Sequence, residues 1–194
     1  MKTEITVLTK LTTAEVIEKL KECNFEYDSY YVMEDVYYSS KGESVHSLSY
    51  PELIASSFLT RKVSGENEVS EQIIYKNKNY ADGVVLGETK VRVNVENVEN
   101  LNKVLTLSGF TPWCKMVTNM TYLKKGNVTI IVQEVEGLGT YLELEEYEDI
   151  KLLTSEEKFN HLVELVKSFN IDTYDNYSEK KVYSLFKGET NGRI

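Results

Sequence analysis

The sequence predicts an α+β fold: an antiparallel β-barrel or tunnel of about eight strands with flanking helices. Short runs with two-residue alternation recur along the chain, the cleanest being Val91, Val93 and Val95 against Lys90, Arg92 and Asn94. Three amphipathic stretches at helical spacing interrupt them, and tight turns join the runs in between, which favours antiparallel neighbours. The 14 tyrosines against one tryptophan fit a strand-rich protein, because aromatic rings pack well on a pleated surface.

Residues 3–10 form the first strand by alternation of Ile5 and Val7 with Glu4, Thr6 and Leu8. A helix follows, opened by a capping box of Thr12 with Glu15 and carrying Val16, Ile17, Leu20 and Cys23 on one face. Residues 25–38 read as one or two tyrosine-rich strands, and 39–52, with Gly42, Ser44, Ser47, Ser49 and Pro51, as a surface loop. Leu53 to Val63, Glu68 to Lys76 and Glu88 to Val95 are the next strands, joined through Gly65-Glu66-Asn67 and residues 77–83. A second helix spans Val98 to Leu107 and stops at Ser108-Gly109. A strand over Trp113 to Leu123 leads into a hairpin, Val128 to Gln133 and Thr140 to Glu145, turned by Gly137-Leu138-Gly139. Ser155 to Phe169 is the third helix, with an acidic start at Glu156 and Glu157.

A length of 194 residues suits one domain, here 1–194 with a flexible tail at 187–194. No apolar run approaches the ~20 residues of a membrane span, and the start lacks a signal-peptide core, so the expected setting is cytoplasmic. Cys23 and Cys114 match no disulfide framework or zinc spacing. The balance of 22 basic and 31 acidic side chains, net −9, argues against nucleic acid and anionic membrane as partners. A local basic cluster for a small anion is compatible with it. His46 and His161 are read as structural, and no residue is assigned a catalytic role.

In the last strand of the hairpin, Tyr141, Glu143 and Glu145 point to one face while Leu142 and Leu144 point to the other. Two carboxylates about 7 Å apart along a strand can flank a hydrated divalent ion or simply face water.

The run Glu134 to Glu145 resembles a signature of the CYTH proteins, or triphosphate tunnel metalloenzymes, which include class IV adenylyl cyclases, thiamine triphosphatases and inorganic triphosphatases. Asp35-Val36-Tyr37-Tyr38, Phe58-Leu59-Thr60-Arg61, Tyr75-Lys76, Ser108-Gly109-Phe110-Thr111-Pro112 and Lys181-Val182-Tyr183 resemble further family words, in family order. The resemblance implies a β-tunnel in which carboxylates hold Mg2+ or Mn2+ and basic side chains grip a triphosphate or nucleotide. It assigns Glu4, Glu143 and Glu145 to the metal and Arg61 and Lys76 to the phosphates; Lys90 and Arg92, which share one strand face, are further phosphate-binding candidates by alternation. It also implies a closing element from the tail, with Lys180 or Lys181 as a cation it would bring.

The chain departs from the family where charge matters. Thr6 and Leu8 stand for a glutamate and a lysine, Leu59 for an arginine, Val117 and Asn119 for two cations, and Gln133 for an aspartate. Fewer carboxylates weaken a site for a hard divalent ion, and fewer cations weaken the hold on phosphate. Lys115 is a further cation that could restore positive field. The expected function is binding of a small phosphorylated anion by a divergent member with a weakened metal site. The alternatives are an active metal-dependent triphosphatase, favoured over a cyclase, and a non-catalytic interaction protein; a homodimer is compatible with each.

Overall fold

The structure, a computed structural model, describes residues 3–55, 57–81 and 84–188; the side chains of 76–81 and 84–89 lie outside the described set. Its strands are β1 (Glu4–Leu8), β2 (Glu26–Ser39), β3 (Ser57–Gly65), β4 (Val69–Ala81), β5 (Val84–Asn94), β6 (Thr111–Lys125), β7 (Val128–Val135) and β8 (Gly139–Glu145). The helices are α1 (Thr13–Glu22), α2 (Tyr50–Ala55), α3 (Val98–Leu107), α4 (Ser155–Lys167) and α5 (Lys181–Lys187). The strand order is β1-β8-β7-β6-β2-β3-β4-β5, and every pairing with a described register is antiparallel. The predicted α+β class with an antiparallel eight-stranded sheet is therefore the observed one. Among the described residues, no helix is long and apolar enough to cross a membrane.

The described residues divide into two compact units, one of residues 3–31 and 118–181, the other of residues 32–117 and 182–188. In the first, strand parity does the sorting. Ile5 and Val7 lie opposite Leu144 and Leu142, which in turn lie opposite Ile130 and Val132. All six are buried, and Val16 and Leu20 of α1 with Leu162 and Val166 of α4 complete the core over them. Both helices begin with reciprocal capping boxes, Thr12 with Glu15 and Thr154 with Glu157. The β7–β8 turn is made possible by Gly137 and Gly139 at φ 79° and 113°.

Beyond α4, the chain returns along the outer edge of β1. The Tyr174 amide donates to the Leu8 carbonyl at 3.0 Å, the Thr6 amide to the Tyr177 carbonyl at 3.0 Å, and the Glu179 amide to the Thr6 carbonyl at 3.1 Å. An edge strand with free donors and acceptors is thereby covered.

In the second unit, β3, β4 and β5 form an antiparallel meander, and α3 lies on the face that carries Thr60, whose hydroxyl meets Asn102 at 2.8 Å. Two sequence expectations are corrected. Residues 39–52 are not all loop and Leu53 does not begin a strand, because a 3-10 turn at Gly42–Ser47 and helix α2 occupy this stretch. The Glu52 carboxylate accepts from the Ser49 amide at 2.9 Å and hydroxyl at 2.6 Å, so a Ser-x-x-Glu word starts a helix there. The segment 77–83 is not a long turn, since β4 and β5 continue pairing to Ala81 and Val84 with an irregularity at Asn79/Tyr80. Residues 181–187 form α5; of the tail expected at 187–194, residues 189–194 lie outside the described set.

Leu142 is fully buried at the centre of the first unit. Leu142→Ala is expected to lower unfolding free energy by about 2–5 kcal/mol, read as a shifted urea midpoint with an unchanged slope.

Candidate functional site

The face of β1–β8–β7 opposite the core carries the residues expected to hold metal. The register sets Glu4 directly opposite Glu145, and Thr6 opposite Glu143, while Tyr141 lies opposite Gln133. Glu4 and Glu145 are exposed, Glu143 is half-buried and Gln133 is buried. The two backbone bonds between Thr6 and the returning tail fix the chain beside Glu143, and Lys181 follows Glu179 by two residues. Its ammonium donates to the Glu143 Oε2 at 2.9 Å and to the Gln133 Oε1, and stands 5.9 Å from the Tyr141 ring centre.

Lys181 and Glu143 side chains are each 15% exposed. Their Coulomb attraction is about 6 kcal/mol gross at an effective dielectric near 20, and desolvation offsets much of it. A resident divalent ion does not fit this donor set. Hard cations take several oxygen ligands, chiefly carboxylates, and here one carboxylate and one neutral amide are already engaged by an ammonium. Among the described residues, no group of three or more His, Cys, Asp or Glu side chains is placed to share an ion. On the same strand face, the buried Thr118 Oγ1 has no hydrogen-bond partner among the described residues.

The second unit carries the residues expected to hold phosphate. Arg61 lies opposite Gln72, Ile74 opposite Arg92, and the Lys76 backbone opposite Lys90, so Arg61, Lys90 and Arg92 share one face of β3–β4–β5. Lys90 and Arg92 are exposed; the Lys76 side chain lies outside the described residues. Arg61 is committed otherwise than its sequence position suggested. Its Nε donates to Asp35 Oδ1 at 2.7 Å and its Nη2 to Oδ2 at 2.6 Å, a bidentate pair with Asp35 wholly buried. Sequence reasoning quoted Asp35 without giving it a role. The signal was there: an acid alternating with Met33 and Tyr37 faces inward and needs a cation. Lys115 pairs with Glu34 at 3.2 Å on an exposed surface.

Burial, and secondly the Asp35 charge, raise the Tyr37 phenol well above its ordinary value, so it stays protonated and offers no base. The same two causes push the Cys114 thiol up to about 12. A small cleft in this unit is lined by Tyr37, Tyr50, Ile54, Leu59, Ile74 and Val182.

No family model and no curated protein matches the chain. Solved structures do. The PH1819 protein of Pyrococcus horikoshii OT3 superposes at a TM-score of 0.69 with 19% identity, over 98% of this chain and 100% of that one. A Vibrio parahaemolyticus protein described as a candidate adenylate cyclase gives 0.62 and 14%, over 94% of this chain and 97% of its own. HpAC1 of Hippeastrum, described as a candidate adenylyl cyclase with a dominant triphosphatase activity, gives 0.58 and 13%, over 97% and 96%. At these identities the likeness shows a shared fold.

Two outcomes are expected at the Asp35–Arg61 pair. Asp35→Ala leaves a largely buried guanidinium without its carboxylate and should cost about 3–5 kcal/mol by denaturant unfolding. With its thiol near 12 rather than 9, Cys114 should carry roughly a thousandfold less thiolate than an ordinary cysteine and label correspondingly slowly with iodoacetamide at pH 8.

Proposed function

We propose that this chain is a divergent CYTH-family protein that binds triphosphate or another phosphorylated anion and has lost part of the family's catalytic set. The observation that carries this reading is the basic face of β3–β4–β5, where Arg61, Lys90 and Arg92 fall together by register. Arg92 is the bidentate donor on this face, since the Arg61 fork is engaged by Asp35. Mg2+ or Mn2+ then arrives as a counter-ion on the phosphates instead of being held in advance by Glu4, Glu143 and Glu145.

The fold shared with HpAC1 makes inorganic triphosphate the first ligand to try, and it favours hydrolysis as the second reading. Hydrolysis needs only a positioned water, whereas cyclisation needs a base on a ribose hydroxyl, and none is identified among the described residues.

Calorimetry with inorganic triphosphate should show binding that persists when magnesium is omitted and weakens roughly three- to tenfold in Arg92→Gln and in Lys90→Gln. Equal affinity in wild type and both variants, or no binding at all, overturns the reading. Release of phosphate from the same sample, abolished in those variants, would replace it with the triphosphatase.

A further inference from the structure

The carboxylate face holds a cation that belongs to the chain itself. We propose that Lys181 is a tethered substitute for a divalent ion: its ammonium occupies the Gln133–Glu143 position and bars Mg2+ and Mn2+ from Glu143, so metal enters only if the tail leaves β1.

Charge balance is the first support. Gln133 is neutral and Glu143 carries one negative charge, so a single ammonium closes the account at zero. A divalent ion in the same place would leave a net positive charge in a pocket where Gln133 is 3% exposed. Geometry is the second. An ammonium has three donors in a tetrahedral arrangement and needs only two or three acceptors, which this corner supplies; a hard divalent ion needs about six oxygens.

Tethering is the third support. The tail is fixed to both backbone groups of Thr6, and Thr6 is the cross-strand partner of Glu143. Lys181 is therefore presented to Glu143 at an effective concentration on the order of millimolar or above, and a free ion below that level does not displace it. The tail's hold on β1 and the exclusion of metal are thus one equilibrium, and each biases the other equally.

The probe is Mn2+ alone, followed by the electron paramagnetic resonance signal of the free ion; no phosphate is present, so the outcome is separate from the ligand reading above. Lys181→Met should bind Mn2+ at least tenfold more tightly than wild type. Lys181→Arg, which keeps the cation, should behave as wild type, and Lys181→Met with Glu143→Gln should lose the gain. A wild type that already matches Lys181→Met, or a gain that survives Glu143→Gln, overturns the proposal. Should Lys181→Met fail to fold, wild type against Glu143→Gln decides it. The two bind Mn2+ equally if Lys181 holds Glu143, and a tenfold loss in Glu143→Gln refutes that.

Discussion

The constraint on which the first unit depends is the period of two in an extended chain. Ile5, Val7, Leu142 and Leu144 are buried under α1 and α4 only because Glu4, Thr6, Glu143 and Glu145 are turned the other way. A slip of one residue in the β1–β8 pairing would place carboxylates against Leu162 and Val166. The core therefore fixes the register, and the register fixes which polar groups meet: Thr6 with Glu143, Tyr141 with Gln133. The chemistry of that face is a by-product of apolar packing on its reverse.

The two units solve the problem of buried charge differently. In one, Asp35 is wholly buried and receives a bidentate guanidinium from the neighbouring strand, a rigid pairing in which both partners sit on regular structure. In the other, Glu143 is served by a flexible lysine at the beginning of a short helix, reached through a backbone splint along β1. The first arrangement ties β2 to β3 and leaves little of Arg61 for a ligand. The second comes apart by releasing a few edge hydrogen bonds together with the packing of Tyr177 on the core.

Much of this was legible in the amino-acid sequence because it is local. The capping boxes at Thr12 and Thr154, the alternation in β1 and β8, and the glycine turn at Gly137 and Gly139 are encoded within a few residues. The Ser49–Glu52 box is equally local, but it lies among serines and Pro51, residue types that also mark a loop. The extension of β4 and β5 through polar residues was hidden for another reason: 77–81 lack apolar alternation, and pairing there follows from a neighbour already in register. At the site, residue types were legible but partners were not. Asp35 with Arg61, and Lys181 with Glu143, are separated by 26 and 38 positions, and only the strand order brings them together.

The long return along β1 also bears on how the unit forms. Thr3 meets Glu146 across 143 positions and Thr9 meets Thr140 across 131, so β1 gains its neighbours on both sides only from the far part of the chain. Loop closure on that scale is entropically costly before any pair rewards it, which places the docking of β1 late in folding. Until then its alternating apolar residues and both hydrogen-bonding edges stand open to pairing with another chain.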